Sequence, residues 1–275
     1  MSVLVALGVV AVVALVIGAA VAIPTLARVW RRQRIARRPF PAAWRDIVRR
    51  GVPLARELPA AQQLLLKKHI QVLLADVPFI GCAGLEVSDE MRVTIAAQAA
   101  FLLMGRGGTF GNLREVLVYP GHFVVPRSEM GAGGVVHEAR DVLAGQSWQR
   151  GQVIVAWDAV RHGAADPHDG ANVVMHEFAH QLDQDTGAAN GAPYVGRGAP
   201  QRAWARVMNQ EFDALRGRLA RAEPGVIEPY AATSPAEFFA VTTELFFEKP
   251  DALAAERPEL YEQLKRCYRL DPLSW

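Results

Sequence analysis

The apolar residues divide the chain into one uninterrupted N-terminal run and a longer segment with periodic patterns. No charged residue occurs from Ser2 to Ala27, and most of these positions are Val, Leu, Ala, Ile or Gly. A helix needs about 20 apolar residues to cross the hydrocarbon core of a bilayer, and this run supplies them. The pattern therefore predicts a single transmembrane helix over residues 1–27.

Two other interpretations of this run stay open at the level of the sequence. The tripeptide Ala20-Val21-Ala22 resembles the cleavage site of a signal peptide, although such peptides usually have a positive leader and a shorter apolar stretch. A buried core helix is the other interpretation, but about 25 uncharged residues in succession are unusual for one. The membrane anchor fits the pattern best.

After residue 42 the periodicity predicts helices, then strands, then helices again. Residues 60–76 read as a helix whose polar face carries Gln62, Lys67 and Lys68, and its apolar residues are 64, 65, 66, 70, 72, 73 and 74. Further helices are predicted over 90–104, 171–185, 201–221, 235–248 and 258–269. Strands are predicted over 115–119, 122–126, 134–138 and 152–157, with a hairpin loop at 127–133. This order predicts an α+β domain with a short, mostly antiparallel sheet.

Composition and charge place this domain beside a membrane. Half of the 275 residues are hydrophobic (51%), which is enough for a sizeable core. Residues 28–50 contain nine arginines and one acid, so this basic collar carries +8 and the remainder −6 within a net charge of +2. The side of a span that is rich in Lys and Arg stays cytoplasmic. We therefore predict a single-pass protein of the cytoplasmic membrane whose body faces the cytoplasm.

The expected organisation is an anchor over 1–27, a basic juxtamembrane linker over 28–41 and one domain over 42–275. The collar can contact anionic lipid head groups. A mildly acidic body favours no nucleic-acid surface, so no direct nucleic-acid binding is expected. Two distant cysteines, Cys82 and Cys267, are too few for a cysteine-based zinc site.

The chemistry is carried by His176-Glu177-Phe178-Ala179-His180, an H-E-x-x-H motif within a predicted helix. Residues i and i+4 of a helix lie on one face, so both imidazoles can bind one Zn²⁺. Glu177 is then placed to take a proton from water that the metal activates. Buried helical histidines with ordinary hydrogen-bond partners are the alternative interpretation of such a motif.

A catalytic zinc site needs a third protein ligand, and no histidine follows His180 in the chain. A ligand after the motif must therefore be a carboxylate. Glu237 is the best candidate, on an apolar helix predicted to begin at Ser234 and Pro235. Two alternatives stay open: Glu237 is a capping-box partner of Ser234, or Glu244 is the ligand or the partner of a histidine.

Other polar residues near the motif have less specific signals. Asp183, three residues after His180, can accept the outer N–H of a ligand histidine and so fix its orientation, or it is simply a solvated acid. Among the remaining histidines, His168 is the one to consider as a pocket residue.

Two blocks, residues 170–183 and 230–241, resemble the Mlc titration factor A family of zinc peptidases, and a weaker resemblance extends over about 40–275. The active-site helix of that family is similar to that of the anthrax lethal factor catalytic domain. The resemblance implies a zincin-like fold with a gluzincin-like site. In that site His176, His180 and Glu237 bind Zn²⁺, Glu177 is the base and Tyr230 hydrogen-bonds the oxyanion; a structural tyrosine is the alternative for Tyr230.

The resemblance also implies aminopeptidase-like activity on small peptides, and binding of the transcriptional repressor Mlc by the enterobacterial members. The N-terminal span departs from the typical soluble members. Two hypotheses follow. The first is a zinc peptidase with peptide substrates and a regulatory role. The second is a membrane-tethered binding module that sequesters a transcriptional regulator and uses zinc only structurally.

Overall fold

The computed structural model describes residues 3–121, 123–130, 136–143, 145–148, 151–185, 187 and 189–275, and for the strands between 123 and 148 it describes the backbone. The chain forms two compact units, Met1–Pro39 and Phe40–Trp275. The first unit is one helix, α1 (Val3–Ala36), with Pro24 inside it. Among the described residues, its segment Ala11–Ala36 is the one helix long and apolar enough to cross a membrane. Most of the predicted linker is therefore helical.

The second unit is mostly helical around a small sheet. Its helices are α2 (Ala42–Gly51), α3 (Ala60–Asp76), α4 (Asp89–Phe101), α5 (Trp157–Ala165), α6 (Val173–Gln184), α7 (Ala199–Ala220), α8 (Pro235–Glu248), α9 (Pro250–Glu256) and α10 (Pro258–Tyr268). Its strands are β1 (Phe79–Gly81), β2 (Glu115–Tyr119), β3 (Phe123–Met130), β4 (Val136–Leu143), β5 (Gly145–Trp148) and β6 (Gln152–Ala156). Short 3₁₀ turns lie at Pro53–Arg56, Pro229–Ala232 and Pro272–Ser274.

The main sheet has the strand order β1-β2-β6-β5, and β1, β2 and β6 are parallel. The prediction of a mostly antiparallel sheet is wrong. Helix α4 is the crossover that makes β1 and β2 parallel, and β1 has only three residues, too few for a recognisable strand pattern. Antiparallel pairing occurs between β5 and β6, and in the separate two-stranded sheet of β3 and β4.

That two-stranded sheet covers two of the predicted strands, with later boundaries. Arg127 pairs with Ala139 in it, so the predicted hairpin loop begins too early. Residues 122 and 131–135 of these predictions lie outside the described part of the chain.

The predicted helices are present with small shifts at their ends, and α3 has the predicted bounds. Fewer residues of this helix are buried than its apolar pattern indicates. Leu66, Ile70 and Leu73 are buried, while Leu64 and Leu65 stay exposed. Three short helices were not predicted. These are α2, α5 and α9, whose 7 to 10 residues give too few turns for a clear period.

The core of the second unit fixes α6 against its neighbours. Helix α6 packs against β5, β6, α4 and α8. On α8 the side chains of Phe238, Phe239, Phe246 and Phe247 are at most 1% exposed. Complete burial of such a side chain contributes about 1.5–3 kcal/mol, so these phenylalanines anchor α8 in the core of the second unit. The two helices therefore bring their polar side chains to a fixed meeting point.

Candidate metal centre

Helix α6 begins at Asn172, whose side-chain oxygen accepts the Met175 N–H at 3.0 Å and caps the helix. The motif follows within the first two turns, on a helix whose Val174 and Phe178 are fully buried. The imidazole rings of His176 and His180 lie 4.9 Å apart between centroids. A capped, buried helix thus presents both rings side by side.

Helix α8 supplies the carboxylate. Ser234 caps this helix, and its hydroxyl accepts the Glu237 N–H at 3.2 Å. The Glu237 carboxylate lies 2.9 Å from His176 Nε2 and 3.5 Å from His180 Nε2. The backbone N–H of Glu237 therefore belongs to the cap, while its side chain faces the histidines; its role as a metal ligand stays a prediction.

These three side chains fit a metal ion. Their ligand atoms lie within 4.8 Å of one another. Ligands at about 2.0–2.1 Å from a tetrahedral cation are about 3.3 Å apart, close to the two histidine–glutamate distances. Hydrogen bonds to Glu237 and Glu244 raise the pKa of His176 well above its usual value, although burial opposes them. The negative charge that stabilises the protonated ring would also stabilise a metal cation at this place.

Glu177 lies beside this cluster and is only 5% exposed. Its Oε2 atom has no hydrogen-bond partner among the described residues. Burial raises the pKa of Glu177 to about 7, against the opposing effect of His176 and His180. A carboxylate with this pKa exchanges a proton readily near neutral pH, which is what a general base requires.

Glu244 contacts the opposite side of His176 from Glu237. Its carboxylate lies 2.8 Å from His176 Nδ1 and accepts the Asn172 N–H at 2.5 Å. Of the alternatives left open for Glu244, this geometry favours the partner of a histidine over the ligand. Such a carboxylate fixes the ring and its tautomer and increases the basicity of the other nitrogen.

Behind this pair lies a second buried carboxylate that sequence reasoning missed. The Asn172 amide donates to Glu248 at 2.8 Å and to the Gly163 carbonyl at 3.2 Å. Burial raises the pKa of Glu248 to about 8, so it is largely protonated at neutral pH. Asn172 therefore joins the start of α6 to two glutamates of α8. Its position before an apolar helix is a signal for a cap, but nothing in the sequence indicated its bond to Glu248.

Asp183 is fully buried and accepts the N–H groups of Gly191 and Ala192 at 2.6 and 2.8 Å. It is therefore not the solvated acid considered above. Gly191 has a φ of 75°, and a Cβ there would lie 2.3 Å from the Pro235 carbonyl oxygen. Only glycine permits this approach, through which the end of α6 is held close to the start of α8.

Tyr230 lies in the 3₁₀ turn before α8, 55% exposed, with its ring centroid 6.1 Å from that of His176. Burial and the neighbouring Glu237 carboxylate raise the pKa of its hydroxyl, which therefore stays a hydrogen-bond donor. His168 lies apart, in an exposed pair with Glu57 at 3.2 Å. The structure thus brings His176, Glu177, His180, Glu237 and Tyr230 together and leaves His168 out.

A helix that bears H-E-x-x-H beside a glutamate of a second helix is typical of metallopeptidases. The sequence profile of the family described as glucose-regulated metallo-peptidase M90 matches residues 27–269. The chain belongs to this metallopeptidase family.

Relatives confirm the predicted membership of the Mlc titration factor A family. An uncharacterized protein of Synechocystis sp. is 41% identical over 246 residues, which cover 89% of this chain and 90% of the relative. Proteins named Mlc titration factor A from Yersinia pestis and Yersinia pseudotuberculosis are each 31% identical over 239 residues, or 85% of this chain and 86% of theirs. In each comparison the similarity thus covers most of this chain and most of the relative.

Proposed function

We propose that this protein is a zinc-dependent peptidase in which Glu177 is the general base. The observation that carries the proposal is the meeting of His176, His180 and Glu237 beside a buried Glu177 oxygen that has no hydrogen-bond partner among the described residues. Membership of a metallopeptidase family supports a metal ion at this place. Two imidazoles and one carboxylate, with room for a fourth ligand, are the donor set of catalytic zinc sites.

Zn²⁺, when bound, supplies Lewis acidity toward water and toward a peptide carbonyl. Glu177 takes the proton from the attacking water and delivers it to the leaving amine. Its pKa of about 7 suits both directions of transfer. Tyr230 donates a hydrogen bond to the oxyanion of the tetrahedral intermediate, for which its exposed position beside the histidines is appropriate.

The substrate strand is proposed to bind along β5. This strand is one of the two edges of the main sheet, pairs with β6 and packs against α6. An edge strand offers a row of backbone donors and acceptors, and an extended peptide can pair with them. A peptide paired with β5 would have a peptide bond alongside the helix that carries His176 and His180.

Metal content of the purified full-length chain in detergent tests the proposal. We expect about one zinc per chain, and loss of zinc and of peptide hydrolysis in the His176→Ala, His180→Ala double variant. His162→Ala is the control, because His162 is exposed and lies outside the cluster. Zinc retained in the double variant, or absent from the wild-type chain, would refute the proposed site.

A regulatory binding role is the second candidate function, because several relatives carry the name Mlc titration factor A. In that case a protein partner is the ligand and the metal supports only the fold. The two functions differ in one requirement, since peptide hydrolysis needs Glu177 as a base and partner binding does not.

A further inference from the structure

A cavity of about 290 Å³ lies where α4, α6 and α10 end, apart from the cluster of histidines. Leu182 and Asp185 line it from the end of α6, and Tyr194 lines it from the following segment. Cavities of roughly 300 Å³ are at the lower limit for sites that hold small molecules. The cavity is therefore large enough for a small molecule and not only for a single ion.

Three arginines give this cavity its charge. Arg106, Arg266 and Arg269 line it, and Asp185 is the one acid among the described lining residues, so the formal charge is +2. The Asp185 carboxylate is already engaged, because the backbone N–H groups of Gly111 and Asn112 donate to it. The remaining charge of +2 is therefore not neutralised by any described residue that lines the cavity.

The hydrogen bonds of Arg106 go to neutral acceptors, although its charge also lies near the Asp185 carboxylate. Arg106 donates to the Cys267 carbonyl at 2.9 Å, to its Sγ at 3.0 Å, and to the Tyr194 carbonyl at 3.0 Å. In the described part of the chain, Arg266 and Arg269 form no ion pair. Arg106 is thus held in place in advance, which lowers the entropy lost when a ligand binds.

We propose that this cavity binds a small phosphate monoester. Such a group carries about −1.5 to −2 charges at neutral pH, which matches the +2 of the cavity better than one carboxylate does. Guanidinium groups bind phosphate through two parallel N–H donors, so Arg266 and Arg269 can engage it together. Tyr194, 55% exposed, offers an aromatic face to the organic part of the ligand. The site is independent of the proposed peptidase activity.

Calorimetric titration with glycerol 3-phosphate tests the proposal, on the metal-depleted full-length chain in detergent, so that a bound metal contributes nothing. The test variant is Arg266→Gln, Arg269→Gln. The matched control is Arg202→Gln, Arg216→Gln, which removes the same charge from two exposed arginines of α7 outside the cavity. All three proteins keep the basic collar, so its binding of anions cancels in the comparison.

We expect saturable binding to the wild type and the control, and affinity at least about tenfold weaker in the test variant. If the double variant does not fold, Arg266→Gln alone is used. Its affinity is expected to be several-fold weaker than that of the wild type. Absence of saturable binding to the wild type would overturn the proposal, as would an equal loss in the control. Succinate that binds as tightly as glycerol 3-phosphate would refute the phosphate assignment.

Discussion

At the scale of single residues, hydrogen bonding gives two glutamates of one site opposite properties. In the part of the chain that the structure describes, one oxygen of Glu177 has no hydrogen-bond partner, and burial raises the pKa of Glu177 to about 7. Burial acts in the same direction on Glu237, but hydrogen bonds to His176 and His180 lower the pKa of Glu237 far below its usual value. One carboxylate is therefore suited to exchange protons and the other to remain an anionic ligand.

Replacement of this base provides the first prediction. Glu177→Gln keeps the shape of the side chain and removes the proton acceptor, so we expect peptide hydrolysis to fall by about 10²–10⁴-fold with zinc content unchanged. Kinetics with a peptide library and metal analysis measure both quantities. Full activity in this variant would contradict the proposed mechanism. Capture of a partner that survives the substitution would support the regulatory role as a separate function.

His69 on α3 leads to a prediction about pH. Burial and the neighbouring Lys68 lower the pKa of His69 from 6.5 to about 4, so the folded chain resists its protonation while the unfolded chain does not. Between these two pKa values the unfolded state binds more protons, and the free energy of unfolding therefore falls as the pH is lowered. We expect a loss on the order of 1–2 kcal/mol from this group.

Urea denaturation of the full-length chain in detergent at about pH 7 and pH 5 measures this loss. Carboxylates with raised pKa values titrate in the same range, so the comparison is with His69→Gln. The decrease should be smaller in this variant by the contribution of His69. An identical decrease in both proteins would show that His69 does not resist protonation.

At the scale of elements, the start of α6 is held by α8. The Asn172 side chain caps α6 and also donates to the buried Glu248, while its backbone N–H donates to Glu244. Because Glu244 in turn contacts His176, the position of the His176 ring depends on the packing of two helices. The apolar face of α8 serves the site by fixing that packing.

This linkage predicts that Asn172→Ala destabilises the chain more than an ordinary cap substitution. Loss of the cap costs about 1 kcal/mol, and the buried acceptor left without its donor adds about 1–3 kcal/mol. Ser88→Ala is the matched control, since Ser88 caps α4 through the Met91 N–H and is exposed. Equal shifts of the urea midpoint in both variants would show that Asn172 acts only as a cap.

At the scale of the whole molecule, the apolar helix and the body are separate compact units. The apolar run of this helix is followed at once by arginines at positions 28, 31, 32, 34, 37 and 38, of which the first four lie within α1. This arrangement supports the proposal that the chain is tethered with its body in the cytoplasm. The metal centre would then act on cytoplasmic peptides.

Protease treatment of spheroplasts from an expressing bacterial host tests this orientation. We expect the body to stay in the membrane fraction and to be protected from protease added outside, and to be degraded after lysis. Replacement of the six arginines of 28–38 by glutamine should reduce that protection, because the charge bias that retains the body inside is lost. Digestion of the wild-type body in intact spheroplasts would refute the orientation.

The sequence alone determined those features that depend on local order along the chain. The N-terminal helix follows from an uncharged run, and α3 follows from apolar periodicity. Helix α8 follows from apolar residues and the Ser234 cap, and the H-E-x-x-H spacing follows from the pitch of one helix. Glu237 could be selected because no histidine follows His180. Its role as a ligand stays a prediction, which the proximity to both histidines supports.

Only the tertiary structure decided which distant segments meet. The three-residue strand β1 and its crossover make the sheet parallel, and pairing partners of so short a strand are not encoded in its own pattern. Asn172 and Glu248 are 76 residues apart, and the arginines of the cavity come from the ends of two helices. Such contacts depend on how buried surfaces pack, and packing joins residues whose spacing along the chain carries no periodic signal.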